Sequence, residues 1–304
     1  MRYAVFDIET RVNKELLKSV FFAGQGLDKE EAYIRFRADL IKRQGDDFPP
    51  LVLHVPISIA LGDVSADHVL RKVESLAVDN YSEAELVREF WRRLESFNGC
   101  LVSFNGRQFD LPVLELQALR YGLRCPVHFS ESGRRRRYAT SRHLDLFDFL
   151  SNYGVFRLRG GINALLQMIG LPGKEAMDGS RVQQAYEAGQ MDKIHRYCRR
   201  DVVQTYFLFL RVQLLRGEIT EDQYAAAKQA SSVLLEGALE CEADPSSQAF
   251  IGATDEIRSL PERPDGAAVK EAAEESAHGS SCGGADAEKT DAAFKPNMSV
   301  AAKD

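Results

Sequence analysis

The sequence lacks any run of about 18 apolar residues, the length that a membrane-spanning helix needs. Its first residues also lack the basic region, apolar stretch and cleavage site of a secretory signal. The five cysteines are scattered and never stand in Cys-x-x-Cys spacing, which argues against a disulfide framework and against a zinc site. From these absences we expect a soluble, cytoplasmic protein whose thiols are core or incidental groups.

Large apolar residues are scarce from about Cys241 onward, where Ala, Glu, Ser, Gly and Asp dominate. Such a composition cannot bury enough surface to offset the entropy lost on ordering. Residues 236–304 also carry a net charge of −9, whereas residues 1–235 carry +3. We therefore predict one domain over residues 1–239 and a disordered acidic tail over residues 240–304. The tail solubilises the chain or binds a protein partner, and the sequence names no such partner.

Strand and helix patterns alternate through the predicted domain, as in the α/β class. A β-branched and aromatic run at Met1–Thr10 predicts a central strand, and the short buried run Cys100–Phe104 predicts a parallel strand. Two more strands are predicted at 52–63 and 69–78, and a last one near His143. Helices are predicted at 28–43, from Ser82 to Asn98, from Asp110, and at 145–153, 161–169, 191–216 and 220–239.

Two carboxylates mark the end of the first predicted strand. Residues two apart on a strand point the same way, so Asp7 and Glu9 lie side by side and repel each other unless a cation separates them. A hard divalent ion such as Mg²⁺ suits this arrangement. The Asp-x-Glu pattern also occurs at Asp28 and Asp286, so a solvated strand end explains the pair equally well.

Two more carboxylates follow later in the chain. Asp110 follows a strand and a turn and opens a helix, which is also the position of an ordinary N-cap. Tyr197 and Asp201 are four residues apart, so they share one face of a predicted helix that is otherwise apolar. Burying an unpaired carboxylate costs several kcal/mol, so Asp201 needs a partner such as a metal.

Three motifs resemble, in order and spacing, the exonuclease motifs of the DEDD superfamily: Asp7-x-Glu9, Asn105-x-x-x-Phe109-Asp110 and Tyr197-x-x-x-Asp201. Longer strings look similar to the stand-alone 3'-5' exonucleases related to the proofreading domain of family B DNA polymerases: SFNGRQFDLPVL, RHLDLFDFL, GLPGKEAMDGSRV and YCRRDVVQTYFLFLR. The resemblance covers about residues 1–215. Arg199 and Arg200 depart from it, because an acidic or polar residue is expected before Asp201.

The resemblance implies a ribonuclease H-like fold, with a mixed five-stranded sheet flanked by helices. It also implies that four carboxylates bind two Mg²⁺ or Mn²⁺ ions: Asp7, Glu9, Asp110 and Asp201. Two such ions hold the scissile phosphate and stabilise the leaving 3' oxygen. Tyr197 marks the tyrosine subtype, and with an ordinary pKa of about 10 it orients the attacking water rather than removing its proton.

Further residues are candidates for binding nucleic acid. Asn105 and Arg107 stand where they would position a phosphate, and Phe109 stands where it would stack on the terminal base. The run Arg134, Arg135, Arg136 and Arg137 would track the phosphate backbone, although a solvated loop explains it almost as well. The expected partner is a single-stranded 3' end, with DNA favoured over RNA.

The leading hypothesis is therefore a metal-dependent 3'-5' exonuclease that releases nucleoside monophosphates. An RNA-trimming exonuclease of the same fold is one alternative, because no residue in the sequence distinguishes ribose from deoxyribose. A catalytically silent relative that only binds nucleic acid is another. The intact set of four carboxylates favours the enzyme, because a scaffold gains nothing from crowding like charges.

Overall fold

A mixed sheet forms the centre of the fold. The structure is a computed structural model that describes residues 1–77, 82–171 and 181–239, with side chains described through residue 232. Its five strands are β1 (Tyr3–Val12), β2 (His54–Val64), β3 (Leu70–Ser75), β4 (Cys100–Ser103) and β5 (His143–Asp145). They lie in the order β3-β2-β1-β4-β5; β2 pairs antiparallel with β1 and β3, whereas β4 pairs parallel with β1 and β5. The predicted mixed five-stranded sheet flanked by helices is confirmed.

Helices flank this sheet. They are α1 (Lys14–Phe21), α2 (Lys29–Gln44), α3 (Glu83–Ser96), α4 (Asp110–Arg120), α5 (Pro126–Phe129), α6 (Leu146–Leu150), α7 (Gly161–Met168), α8 (Val182–Glu187), α9 (Met191–Leu215) and α10 (Glu221–Leu239). The predicted long helices at 28–43 and 191–216 correspond to α2 and α9. Helices α1, α5 and α8 are short and were not predicted from the sequence.

The two faces of β1 pack against different helices. Val5 lies in a buried cluster with Val202 of α9, whereas Phe6 and Ile8 lie in a second cluster with residues of α3 and α4. Side chains alternate along a strand, so the odd-numbered positions that follow Val5 share its face. The carboxylates at positions 7 and 9 therefore face the α9 side of the sheet.

Helix α9 lies close against the sheet because β2 carries a glycine at the contact. A Cβ atom at Gly62 would lie 2.9 Å from Val202 Cγ1 and 3.1 Å from Leu70 Cδ1. Both distances are shorter than a normal contact between carbon atoms. Gly62 therefore sets how near the carboxylate on α9 comes to β1.

Helices α1 and α2 form an addition between β1 and β2. They enclose a small core of their own, formed by Val12, Leu17, Phe22, Ala32, Phe36 and Leu53. Helix α2 begins with a complete capping box, in which Asp28 and Glu31 bond to each other's backbone N–H groups. The buried ammonium of Lys14 contacts Glu30 of α2 and Glu187 of α8, each at 2.5 Å. This ion pair network fixes the addition to the rim of the sheet.

The predicted acidic tail, residues 240–304, lies outside the described residues. Among the residues that the structure describes, no helix is both long and apolar enough to cross a membrane.

The contact at Gly62 generates a stability prediction. Gly62→Ala should lower the free energy of unfolding by about 1–3 kcal/mol, because the added methyl group overpacks the contact with α9. In Gly62→Ala/Val202→Ala the added methyl occupies space that the valine has left. A double-mutant cycle by urea denaturation should therefore give a favourable coupling of about 1 kcal/mol. Strictly additive effects of the two substitutions would contradict this role for Gly62.

Candidate functional site

Three carboxylates meet where β1 and α9 come together. Asp7, Glu9 and Asp201 each offer an oxygen, and these oxygens all lie within 4.8 Å of one another. Glu9 and Asp201 are buried and Asp7 is half-buried. Negative charges this close repel each other strongly in a poorly solvated site. The arrangement is the oxygen-only donor set that Mg²⁺ and Mn²⁺ prefer, so the residues present fit such ions.

Asp110 lies at the start of α4, outside that group of three. Its Oδ1 accepts a hydrogen bond of 3.2 Å from the backbone N–H of Ile8, which lies between Asp7 and Glu9 on β1. Burial, followed by the negative charges of Asp145 and Asp201, raises the pKa of Asp110 to about 7. Asp110 is therefore a fourth carboxyl group, and it is hydrogen-bonded to the segment of β1 that carries Asp7 and Glu9.

Tyr197 lies one helical turn before Asp201 on α9. Its ring is buried in a cluster with Ile57 of β2, Val182 of α8 and Ile194 of α9. The spacing of four residues keeps the tyrosine on the helix face of the carboxylate, as predicted.

A buried cysteine contacts both the backbone and the side chain of Asp7. The Cys198 thiol lies 3.4 Å from the backbone oxygen of Asp7 and 3.8 Å from its Oδ2. Burial, and then the charges of Asp7 and Glu9, raises the pKa of this thiol well above its ordinary value, so it stays protonated and donates. Nearby, Ser58 Oγ and His195 Nδ1 form a hydrogen bond of 2.9 Å. Sequence reasoning treated Cys198 as a core or incidental thiol, and its place beside Tyr197 in YCRRD was the one signal of its contact with Asp7.

Asp145 organises the loop that precedes Asp110. Its two carboxylate oxygens accept hydrogen bonds from the backbone N–H groups of Asn105 (2.9 Å), Arg107 (2.7 Å), Phe147 (3.0 Å) and Asp148 (3.2 Å). Asn105 has a φ of 66°, a left-handed backbone conformation that asparagine tolerates better than most residues. The asparagine therefore serves the loop through its backbone. Sequence reasoning weighed a site-lining role and a structural role for Asp145 about equally, and these contacts support the structural role.

The guanidinium of Arg107 is engaged by the protein itself. It donates to the carbonyl oxygens of Arg134 (3.2 Å), Arg136 (3.1 Å) and His143 (2.9 Å). These bonds hold the arginine-rich loop against the end of β5. The contacts show a structural role for Arg107, and its predicted phosphate contact stays a prediction.

Arg134 is buried, with 2% of its surface exposed. Its guanidinium donates to the carbonyl oxygen of Phe97 and lies over the Phe97 ring. A phosphate backbone on the surface has no access to this group. The prediction that Arg134 binds nucleic acid is therefore wrong, because a run of four arginines does not reveal which one turns inward.

The other three arginines of the run are exposed. Arg135 pairs with Glu115 at 3.2 Å, Arg136 donates to the Glu131 carbonyl at 3.1 Å, and Arg137 pairs with Asp148 at 2.6 Å. Arg135 and Arg137 line a cleft of about 350 Å³ beside the first turn of α4. Each of these three exposed side chains therefore also has a partner within the protein.

A second cleft opens beside Glu9. It has a volume of about 580 Å³. Its lining includes Ile8, Glu9 and Thr10 of β1, Tyr33 and Arg37 of α2, Phe48, Pro49, His54, Phe109, and Gln183, Gln184 and Glu187 of α8. Phe109 and Glu9 therefore line the same cleft, and the predicted stacking of Phe109 on a terminal base stays a prediction.

Comparison with known proteins gives a family match. A family model described as "Predicted 3'-5' exonuclease related to the exonuclease domain of PolB" matches residues 46–252. The matched range contains Asp110, Tyr197 and Asp201, and it begins after β1. Among solved structures, a family B DNA polymerase from the hyperthermophilic archaeon Pyrobaculum calidifontis is similar, with 15% identity and a TM-score of 0.46. That similarity covers 79% of this chain and 29% of the polymerase, so the chain spans less than a third of the polymerase's length. No curated protein matches the chain in sequence.

The buried carboxyl of Asp110 predicts that stability depends on pH. In the metal-free protein the folded state keeps this group protonated up to a pKa of about 7, whereas the unfolded chain releases the proton near 3.8. The folded state therefore binds more protons between these pH values, and the free energy of unfolding falls as pH rises from about 4 to about 7.

Asp110→Asn removes this charge at nearly constant volume. In the presence of chelator, the Tm of the variant minus that of the wild type should therefore increase by several degrees between pH 4 and pH 8, measured by thermal denaturation. Asp222→Asn, at an exposed position on α10, is the control and should show no such increase. A Tm difference for Asp110→Asn that stays constant with pH would contradict the raised pKa.

Proposed function

The chain belongs to the family of predicted 3'-5' exonucleases related to the exonuclease domain of PolB, and we propose that it hydrolyses nucleic acid from the 3' end with two Mg²⁺ or Mn²⁺ ions. The preferred substrate in this proposal is single-stranded DNA, and the products are nucleoside monophosphates. The observation that carries the proposal is the group of Asp7, Glu9 and Asp201, whose oxygens lie within 4.8 Å of one another. Bound cations would offset the repulsion among these three carboxylates, so the group is suited to holding metal ions.

Each carboxylate has a proposed part in holding the ions. Asp7, Glu9 and Asp201 provide the ligand oxygens nearest to one another, and Asp110 adds a fourth carboxylate from the start of α4. The ions, when bound, act as Lewis acids that stabilise charge on the scissile phosphate and on the leaving 3' oxygen. Because ion binding favours the ionised form, the raised pKa of Asp110 should return toward its ordinary value in the loaded protein.

The other site residues bind and orient the substrate. Tyr197 shares a helix face with Asp201, and its phenol is a hydrogen-bonding group suited to orienting the attacking water. Phe109 lies beside Glu9 in the cleft of about 580 Å³ and offers an aromatic face to the terminal base. Arg135 and Arg136, both exposed, contact phosphates farther along the strand.

Replacing one carboxylate tests the function directly. Asp7→Asn should lower kcat for removal of a labelled 3' nucleotide by about a thousandfold, because the ions supply several kcal/mol of transition-state stabilisation. Its Tm in chelator should equal or exceed that of the wild type, since the change relieves repulsion from Glu9 and Asp201. Single-stranded DNA and RNA are each assayed with Mg²⁺, with Mn²⁺ and with chelator.

The outcomes separate the alternatives. Asp222→Asn is the control and should keep full activity, because it removes an acidic charge from the exposed start of α10. Faster removal of ribonucleotides than of deoxyribonucleotides would favour the RNA-trimming alternative. If the wild-type protein binds either polymer without shortening it, the exonuclease proposal fails and the binding-only alternative takes its place. If Asp7→Asn shortens the polymer as fast as the wild type does, the proposed role of the carboxylate group in catalysis is rejected.

The exposed arginines generate a separate prediction about affinity. Arg135→Ala/Arg136→Ala should raise KM with little change in kcat, because these side chains lie away from the carboxylates. The slope of log KM against log salt concentration should fall by about 0.7 for each phosphate that the variant no longer binds. Arg88→Ala/Arg92→Ala is the matched control, because these exposed arginines of α3 also pair with glutamates. Equal salt slopes for the wild type and the Arg135/Arg136 variant would contradict the phosphate contacts.

A further inference from the structure

A row of polar side chains runs along α9 toward the candidate metal site. His195 and Cys198 stand six and three residues before Asp201. Side chains three residues apart are neighbours on a helix, so these groups follow one another along α9. His195 and Cys198 are both buried, with 5% and 0% of their surface exposed. Burying a polar group is costly unless it is hydrogen-bonded, so each of these two side chains needs a partner.

Ser58 joins this row from the neighbouring strand. It lies on β2 directly opposite Glu9 of β1, and directly opposite residues project to the same face of a sheet. Ser58 is fully buried. Its Oγ forms a hydrogen bond of 2.9 Å with His195 Nδ1, and its side chain also hydrogen-bonds the Cys198 thiol. One serine hydroxyl therefore links two side chains of α9 beside the carboxylates.

The hydrogens of these groups all point toward the carboxylates. Burial is the main cause of the raised pKa of Cys198, and the hydrogen bond with Ser58 lowers that pKa, as a bond donated to the sulfur does. A hydroxyl has one hydrogen, so Ser58 Oγ accepts from His195 Nδ1, and that nitrogen carries the proton. Burial, and then the charge of Arg199, lowers the pKa of His195, which agrees with a neutral ring.

The row ends on Asp7. The Cys198 thiol lies 3.4 Å from the backbone oxygen of Asp7 and 3.8 Å from its Oδ2. A carbonyl oxygen and an ionised carboxylate only accept, so the thiol donates to both. A thiol is a weak donor, and a hydroxyl that donates to its sulfur polarises it and strengthens its own donation. We call these three side chains the donor row (His195, Ser58 and Cys198).

The donor row holds Asp7 without bringing a positive charge to the site. A lysine or arginine in the same place would repel a divalent cation. A neutral donor restricts the rotation of the carboxylate and has no such effect. Hydrogen bonds of this kind orient the ligands of metal sites, and their removal typically weakens metal binding by about 10- to 100-fold.

We propose that His195, Ser58 and Cys198 are positioning residues, which act in series through the thiol to hold Asp7 in the orientation that binds a divalent cation. The inference rests on the proposed function, because it concerns ion binding by the same carboxylates. It adds that the cation affinity of the site depends on a hydrogen-bond chain from His195 to Asp7. Ser58 and His195 lie outside the three motifs, so no sequence pattern indicates their role.

Titration with Mn²⁺ tests the donor row without nucleic acid or catalysis. Free Mn²⁺ is measured by its EPR signal in the presence of the full chain, and binding that Asp7→Asn loses is assigned to the site. Cys198→Ala should raise the Kd of this binding by about 10- to 100-fold. Cys198→Ser keeps a donor and should recover most of the affinity. Cys125→Ala is the matched control, because it removes a buried thiol from the cluster that contains residues of α3 and α4, and its Kd should equal that of the wild type.

Variants of the other two residues test whether the donor row acts in series. Ser58→Ala should raise the Kd by a smaller factor than Cys198→Ala, because the thiol still lies against Asp7. The double variant Cys198→Ala/Ser58→Ala should bind Mn²⁺ as Cys198→Ala alone does, since Ser58 acts through the thiol. His195→Asn keeps an N–H near the position of Nδ1 and should bind as the wild type does, whereas His195→Leu should match Ser58→Ala.

A second serine and histidine pair provides the matched control for Ser58. Ser103 Oγ and His143 Nε2 form a hydrogen bond of 2.8 Å, and both residues are buried. Ser103 follows Val102, which lies in the cluster with residues of α9, so Ser103 faces the other side of the sheet. Ser103→Ala removes the same kind of bond and should leave the Kd for Mn²⁺ unchanged.

Metal activation of the enzyme provides the second readout. Cys198→Ala should raise the Mg²⁺ concentration for half-maximal exonuclease rate by a factor similar to that in the Mn²⁺ titration. At saturating Mg²⁺ it should regain most of the wild-type kcat. A variant that is only less stable would lose rate at every Mg²⁺ concentration.

Each outcome decides the inference. If the wild type binds Mn²⁺ at the site and Cys198→Ala binds it with the same Kd, the donor row is rejected and the proposed function stands. Additive losses in the double variant, or a Cys198→Ser that binds as weakly as Cys198→Ala, would also overturn it. If the wild type binds no Mn²⁺ that depends on Asp7, the cation site itself is rejected, and both proposals fall.

Discussion

Repulsion between carboxylates is the constraint on which the rest of the structure depends. Asp7, Glu9 and Asp201 come from two distant parts of the chain, yet their oxygens lie within 4.8 Å of one another. Two of the three are buried, so water screens their charges poorly. A fold that holds them together against this repulsion must supply the necessary rigidity through the surrounding contacts.

That rigidity comes from close packing and from neutral hydrogen-bond donors. Gly62 lets α9 lie close against β2, and Asp201 thereby approaches β1. The thiol of Cys198 lies against Asp7, and the backbone N–H of Ile8 donates to Asp110. None of these groups carries a positive charge, so they position the carboxylates without neutralising them.

The local pattern of the sequence predicts the central parts of the site. Alternation along β1 placed Asp7 and Glu9 on one face, and the spacing of four residues placed Tyr197 with Asp201 on α9. Both inferences depend only on the periods of strand and helix, which tertiary structure rarely changes. The five-stranded mixed sheet followed from the recognised motifs, and the topology confirms it.

Features that depend on tertiary contacts could not be predicted in this way. Nothing in the sequence shows that Arg134 turns inward to Phe97, or that Arg107 bonds the carbonyl groups of a loop nearly 30 residues later. Asp145 is one acidic residue among many in the sequence, yet four backbone N–H groups converge on it. Each case depends on partners distant in sequence, which composition and periodicity do not reveal.

The central claim is that β1 and α9 create a divalent-cation site, and anomalous scattering tests it most directly. Crystals of the protein soaked in Mn²⁺ would be measured near the manganese absorption edge. We predict an anomalous peak within bonding distance, about 2.0–2.3 Å, of oxygens from Asp7, Glu9 and Asp201. Manganese bound elsewhere, with these carboxylates in contact with water alone, would contradict the claim.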